Sequence, residues 1–236
     1  MIPVADSVKA RRTPYVNVSL ILISIAVFVY ELTLSTADLN QFFLDFGVVP
    51  ADIDAWLGDW SGIEEPLTIA TSAFIHGGWL HLGFNMIFLW VFGDNIEDAL
   101  GHLPYLAFYL LAAAGAAALQ VATDPDSVVP VVGASGAIAG VLGAYLVLYP
   151  RATVAVLLPF FFFIPLPVPA FVLLIFWFAL QLFSGVASIG MSEASEGVAV
   201  WAHVGGFATG FVLILLLRPF IRRRPYRRSH GRTEMY

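Results

Sequence analysis

The chain has 236 residues, of which 59% are hydrophobic and 12% are charged, and it contains no cysteine. A soluble globule of this size cannot bury so much apolar surface, so the composition excludes a water-soluble protein and indicates an integral membrane protein. The lack of cysteine excludes disulfides, thiol nucleophiles and cysteine-ligated metals. The formal net charge of −6 gives no reason to expect a nucleic-acid partner.

Six apolar stretches follow one another along the chain, each near the roughly 20 residues that a helix needs to cross a bilayer. They lack the alternation of polar and apolar residues that membrane β-strands show, so we expect helices. The predicted spans are Val16–Leu34, Trp79–Ile96, Tyr105–Val121, Ser135–Tyr149, Ala170–Phe183 and Val198–Leu217. The sequence therefore predicts an all-α polytopic membrane protein with one membrane domain, 16–217, between an N-terminal segment, 1–15, and a basic tail, 218–236.

The apolar stretch before the fifth span contains four prolines, at positions 159, 165, 167 and 169. Proline removes a backbone donor and clashes with the preceding turn, so one continuous helix through this stretch is excluded. We expect Val154–Pro169 to be an apolar loop or an interfacial segment.

The basic residues give the orientation. With a cytoplasmic N-terminus and six spans, all 11 Lys and Arg residues lie on the cytoplasmic side, as the positive-inside rule requires. The first outer loop, Ser35–Gly78, instead carries seven carboxylates and no Lys or Arg. We therefore predict that both termini are cytoplasmic. A bacterial plasma membrane is the expected location, because the apolar core fills nearly the whole chain and no transit peptide precedes it.

Polar residues occur at the outer ends of the second, fourth and sixth spans. His81, Ser135 and His203 all lie in this shallow layer, and such side chains are expensive to keep in a bilayer, so they indicate a functional site. Two of them also have a structural explanation: Ser135 could cap its helix, and His203 could hydrogen-bond a neighbouring helix.

Small residues on two spans predict that these spans pack closely. His203, Gly206 and Gly210 share one helix face by their spacing, and Ser135, Ala139 and Gly143 form a similar stripe on the fourth span. Small side chains allow two backbones to approach each other. Pairing of the two stripes would bring Ser135 and His203 together.

The second span carries His81 and Asn85, four residues apart and on one face. Asn85 could join helices by a hydrogen bond, or both side chains could stabilise an oxyanion. His76 and His81 show no His-Glu-x-x-His pattern, and no acidic residue lies at this depth, so we predict no metal and no cofactor.

Three motifs resemble those of the rhomboid intramembrane serine proteases: Gly-Ala-Ser-Gly around Ser135, His-x-x-x-Asn from His81, and Ala-His-x-x-Gly-x-x-x-Gly around His203. The resemblance covers about residues 66–217, with the motifs in family order. It implies a six-transmembrane-helix rhomboid-like bundle in which Ser135 is the nucleophile and His203 the general base, with no third acid. His81, Asn85 and the Ser135 amide would form the oxyanion hole, and Glu97, in the turn after the second span, would be structural.

Two positions depart from the family pattern. Leu67-Thr68 replaces a frequent Trp-Arg in the first outer loop, so that loop must be anchored differently. Ala139 replaces a frequent aromatic residue that stacks on the catalytic histidine, so another group must hold the His203 ring.

By this resemblance, the predicted function is serine endopeptidase activity on transmembrane segments of single-pass membrane proteins. The predicted partners are these substrates and the membrane lipid around them. The alternative is a catalytically inactive rhomboid-like protein that binds transmembrane helices. A small-molecule transporter is disfavoured, because acidic residues occur within the predicted spans only near their ends, Glu31 in the first span and Asp94 in the second. The sequence leaves the substrate's identity and the oligomeric state open.

Overall fold

The computed structural model describes residues 1–157, 164–188 and 199–221, which are mostly helical. In chain order the elements are β1 (Ile2–Asp6), α1 (Tyr15–Glu31), α2 (Thr36–Phe46), α3 (Pro50–Asp59), α4 (Glu64–Thr71), α5 (Trp79–Phe88), α6 (Asp94–Leu100), α7 (His102–Thr123), α8 (Ser135–Leu148), β2 (Thr153–Leu157), β3 (Pro165–Pro169), α9 (Ala170–Ser188) and α10 (Val200–Leu217). A 3₁₀ turn, Ser72–Phe74, follows α4, and a π-helical turn, Leu89–Gly93, joins α5 to α6.

A helix lies at each of the six predicted places, but the count of six spans is not confirmed. In the described part of the chain, three helices are long and apolar enough to cross a bilayer: α7, α9 and α10. The segments Glu64–Phe74 and Trp79–Leu100 would add a fourth, bent by 85°. α1 and α8 are apolar but have 17 and 14 residues, so α8 is only about 21 Å long at 1.5 Å per residue. The predicted start of the last span, Val198, lies outside the described residues.

The centre of the bundle is α8, whose residues 136–145 are all buried. α7 and α10 both pack against it, and against each other, through small side chains. A Cβ at Gly206 would overlap the carbonyl oxygen of Gly136, and a Cβ at Gly210 would overlap the backbone of Gly140. Helices this close leave no room for any side chain at the contact.

This contact corrects the predicted stripe on α8. Gly206 and Gly210 face Gly136 and Gly140, not Ser135 and Ala139. Gly143, the third predicted member, does lie in the contact, against the backbone of Phe207. The reason is steric, because only the glycine row of α8 lacks the Cβ atoms that would keep the two backbones apart.

We expected Val154–Pro169 to be an apolar loop or an interfacial segment, but part of it forms β-strands. Thr153–Leu157 forms β2, which pairs antiparallel with β1 on one side and with β3 on the other. The three prolines of β3 occupy alternate positions of an edge strand, where they leave the N–H groups between them free to pair. Residues 158–163 of the predicted loop lie outside the described residues.

The N-terminal strand is fixed to the end of the bundle by Asp6. Its carboxylate accepts hydrogen bonds from the Asn95 amide, at 3.0 Å, and from the Tyr145 hydroxyl. Burial raises the pKa of the Asp6 carboxyl to about 6. β1 and β2 therefore lie at the same end of the molecule as α6 and the end of α8.

Glu97 links α6 to the start of α1. Its carboxylate accepts the backbone N–H groups of Val16, at 3.0 Å, and Asn17, at 2.7 Å. These N–H groups lie in the first turn of α1, where no intrahelical acceptor exists. The contact matches the structural role that the resemblance implies for this glutamate.

The first outer loop is folded into α2, α3 and α4, and it is anchored through backbone pairing. Val48 exchanges two hydrogen bonds with Val131, of 3.0 and 2.7 Å, and the Ala51 N–H donates to the Ser127 carbonyl at 3.0 Å. Ser127 and Val131 belong to the segment that leads into α8. This pairing fixes the loop without the Trp-Arg pair that the family pattern led us to expect.

Candidate active site

The structure brings Ser135 and His203 into hydrogen-bond contact. Ser135 is the first residue of α8, His203 lies in the first turn of α10, and Ser135 Oγ is 2.7 Å from His203 Nε2. The glycine contact between α8 and α10 begins one residue beyond Ser135 and so holds the two helices at this distance. A serine hydroxyl on an imidazole nitrogen is the arrangement of an activated nucleophile and its base.

Ser135 does not cap α8, which was its structural explanation. The residue in the capping position is Ala134, and no side chain hydrogen-bonds there. Gly133, which precedes Ala134, has φ +124°, a conformation that favours glycine. The N–H of Gly133 donates to the Ser72 carbonyl at 2.9 Å. The first N–H groups of α8, including that of Ser135, have no intrahelical acceptors.

His81 and Asn85 lie against this glycine. A Cβ at Gly133 would lie 2.7 Å from Cε1 of His81 and 3.7 Å from Nδ2 of Asn85. The Gly77 N–H donates to His81 Nδ1 at 3.4 Å, so a neutral His81 carries its proton on Nε2, the nitrogen beside Gly133. Asn85 Nδ2 is buried and has no hydrogen-bond partner in the described structure. Both side chains thus present donors close to the start of α8.

The His203 ring is held by α9. Its Nδ1 lies 2.8 Å from Gln181 Oε1, and its ring centroid lies 5.9 Å from that of Trp177, at an interplanar angle of 43°. These contacts supply what the aromatic residue expected at position 139 would have supplied. The sequence analysis missed both residues, although Gln181 is the one amide side chain in the apolar sequence of α9 and the rule for polar residues in spans would have found it.

His76 is fully buried next to His81, with the two ring centroids 5.1 Å apart. Its Nδ1 is 3.2 Å from the Phe74 carbonyl, while its Nε2 has no partner in the described structure. Across the described ranges, no three His, Cys, Asp or Glu side chains lie close enough together to hold a metal ion. The prediction that the site needs no metal stays a prediction.

The fold and this site define a membrane-embedded helical bundle with a serine and a histidine in contact at one end. The chain belongs to the rhomboid family, since residues 64–220 match the model of the Rhomboid domain. The resemblance predicted from the motifs is confirmed at the level of the family.

Curated relatives support this assignment. The chain is 34% identical over 147 residues to RHOMBOID-like protein 5 of Arabidopsis thaliana, a match that covers 61% of this chain and 42% of that protein. It is 28% identical over 170 residues to Rhomboid protein 1, mitochondrial, of Saccharomyces cerevisiae, covering 70% and 46%. It is 29% identical over 154 residues to Rhomboid-like protease 5 of Toxoplasma gondii, covering 63% and 16%. The chain thus spans less than half the length of these relatives.

Family membership and the apolar helices show an integral membrane protein. The relatives named above are eukaryotic, and one is named as mitochondrial. They give no support to the bacterial plasma membrane predicted from the sequence.

Proposed function

We propose that the protein is an intramembrane serine endopeptidase that cleaves transmembrane segments of single-pass membrane proteins with a Ser135–His203 dyad. The observation that carries this proposal is the 2.7 Å contact between Ser135 Oγ and His203 Nε2. An ionisable side chain among apolar helices is unfavourable unless it has a function, and here it faces a potential nucleophile.

In the first step, His203 Nε2 accepts the Ser135 proton while Oγ attacks the carbonyl carbon of the scissile peptide bond. The protonated His203 then donates this proton to the leaving amine, and an acyl-enzyme remains on Ser135. Water, activated by the same nitrogen, hydrolyses the ester and restores Ser135. Two residues thus perform both proton transfers.

Negative charge develops on the substrate's carbonyl oxygen during the attack. The Ser135 N–H, the Nε2–H of His81 and the Nδ2–H of Asn85 are the donors available near this oxygen. Fixed donors of this kind stabilise the transition state without reorganising during the reaction. The buried, unpartnered Asn85 amide supports this role, since such a donor is unfavourable unless a ligand satisfies it.

A substrate helix must unwind locally before its carbonyl can be attacked, because a helical amide is hydrogen-bonded and shielded. We therefore propose substrates that carry helix-breaking residues and a small side chain at the cut. Membrane lipid surrounds enzyme and substrate.

A fluorophosphonate probe tests the proposal directly. The wild-type protein should be labelled covalently, and Ser135→Ala should abolish the labelling and the cleavage of a model transmembrane substrate. His203→Ala should do the same, and the double variant should be no worse than either single one, because the two residues act as a unit. Ser19→Ala is the control, since this exposed serine of α1 bonds its own helix backbone at Tyr15 and has no other side-chain partner among the described residues. A folded wild-type protein that resists labelling in every lipid would instead support an inactive binder of transmembrane helices.

A further inference from the structure

Gln181 is the one amide side chain in the largely apolar helix α9, and it contacts the ring of His203. Its Oε1 lies 2.8 Å from Nδ1, on the opposite side of the ring from Ser135. A polar side chain in a bilayer is unfavourable unless it is paired or has a function. Nothing in the dyad chemistry described above uses this contact.

We propose that Gln181 is a positioning residue that keeps His203 in its reactive tautomer; the proposal rests on the proposed function. A neutral imidazole carries one N–H and one lone pair. Gln181 Oε1 accepts only, so Nδ1 must carry the proton, and the lone pair is then on Nε2, facing the Ser135 hydroxyl. In the other tautomer Nε2 already carries a proton, so it has no lone pair that could accept the proton of the Ser135 hydroxyl.

The same contact operates after proton transfer. Once His203 has taken the Ser135 proton, both ring nitrogens are donors, and the amide oxygen of Gln181 still accepts from Nδ1. A carboxylate would stabilise this cation more strongly, but it would place a charge inside the membrane. A neutral amide therefore suits a dyad that has no acidic third member.

Gln181 is itself held in place by the face of α9 that meets α10. Trp177 precedes it by four residues and lies on the same face, against the His203 ring. Phe178 stacks on Phe207 with centroids 4.4 Å apart and an interplanar angle of 22°. Gly185, one turn further on, lies against Trp201. These contacts fix the face of α9 that presents the Gln181 amide oxygen to Nδ1 of His203.

The test compares three changes at one position. Gln181→Leu keeps the size of the side chain but removes the acceptor, Gln181→Glu keeps an acceptor oxygen, and Gln181→Met is a second apolar variant in case Leu prevents folding. The matched control is Gln120→Leu. Gln120 also supports α10, by accepting the Ala202 N–H at 3.2 Å, but it bonds the backbone rather than the His203 ring.

Two readouts separate positioning from structure. ¹⁵N NMR of histidine-labelled protein reports which ring nitrogen is protonated, with the His203 signals identified by their loss in His203→Ala. We expect the Nδ1-protonated form in wild type, Gln181→Glu and Gln120→Leu, and a mixture of tautomers in Gln181→Leu and Gln181→Met. Kinetically, the two apolar variants should lose about 10-fold or more in fluorophosphonate labelling rate and in kcat, with KM within about twofold, because a wrong tautomer impairs chemistry rather than binding. Gln181→Glu should recover most of the rate.

Wild-type labelling rates and an unchanged His203 tautomer in folded Gln181→Leu or Gln181→Met would overturn the proposal. A loss of rate shared equally by Gln120→Leu would also overturn it, since this would indicate a general effect on α10. If the wild-type protein is not labelled at all, the proposed function fails. The tautomer measurement then still decides whether Gln181 controls His203.

Discussion

At the scale of single residues, two buried asparagines show the difference between structure and site. Asn17 has a hydrogen-bond partner at both polar atoms of its side chain: its Nδ2 donates to the Leu89 carbonyl at 3.0 Å, and its Oδ1 accepts from the Tyr105 hydroxyl at 2.8 Å. Asn85 is also buried, but its Nδ2 has no partner in the described part of the chain. An unsatisfied buried donor destabilises by about 1–3 kcal/mol. Its presence beside Gly133 is explained if the substrate oxyanion is its partner.

This contrast predicts opposite outcomes for two identical changes. Asn85→Ala should lower single-turnover cleavage by about 10²–10³, as the loss of an oxyanion donor does, and leave the thermal midpoint nearly unchanged. Asn17→Ala should destabilise the protein by about 1–3 kcal/mol and leave the turnover of the folded fraction near wild type. Both variants would be measured in the same lipid, by cleavage and by thermal unfolding. A destabilised Asn85→Ala protein with normal turnover would show that Asn85 only joins helices.

Whether the sequence predicts a residue of the site depends on whether a motif identifies it or only its contact with another helix does. Ser135, His203, His81 and Asn85 could be proposed from motifs and span positions, and the structure places the first two in contact. Gln181 could not be assigned a partner, because its contact depends on how α9 is rotated against α10. That rotation is not contained in the pattern of either helix alone.

At the scale of elements, the glycine contact between α8 and α10 sets the distance between Ser135 and His203. Gly206 packs against the carbonyl of Gly136. Gly206 lies three residues after His203, and Gly136 directly follows Ser135. A side chain inserted there must separate the helices at the site itself. Stability and activity should therefore fall together.

Gly206→Val and Ala208→Val test this on one helix with one introduced residue. Ala208 is exposed on the outside of α10, so its replacement should be tolerated. Gly206→Val should destabilise the protein by about 1–3 kcal/mol, as overpacking does, lower the thermal midpoint by several degrees and reduce cleavage. Thermal unfolding and cleavage of the same samples provide the measurement. If Gly206→Val matched Ala208→Val in both, the close contact would not matter for the site.

The elements also show where sequence patterns stop being informative. A helix at each of the six apolar stretches was predictable, because long apolar runs have few alternatives in a membrane, although the count of six membrane spans is not confirmed. The strands were not predictable: a short apolar run is ambiguous between strand and loop, and β2 pairs with β1, which is about 150 residues earlier in the chain. Two of the three residues predicted for the stripe on α8 were one position away from the residues that contact α10. Small residues occupy two neighbouring rows of this helix, and the sequence does not show which row makes the contact.

At the scale of the whole molecule, long-range contacts place three segments at one end of the bundle. β1 pairs with β2, the Arg12 N–H donates to Asp98 at 3.2 Å, and Asp6 contacts Tyr145 near the end of α8. Ser135, at the start of α8, marks the opposite end. The outer loop joins that end, because Val48 pairs with Val131 just before Ser135. The predicted topology requires these two ends to face opposite sides of the membrane.

Single cysteines can test this arrangement, because the wild-type chain has none and each variant presents one thiol. Gly58→Cys, exposed on α3, should react with a membrane-impermeant maleimide from the outer side. Thr153→Cys, exposed on β2, should react only from the cytoplasmic side, where the positive-inside rule places the basic residues. Leu111→Cys lies 53% exposed in the middle of α7 and should react from neither side, since it faces lipid. Right-side-out and inverted vesicles from the expression host would be labelled in parallel. Labelling of Gly58→Cys and Thr153→Cys from the same side would contradict the six-span topology, because an odd number of crossings must separate these two positions.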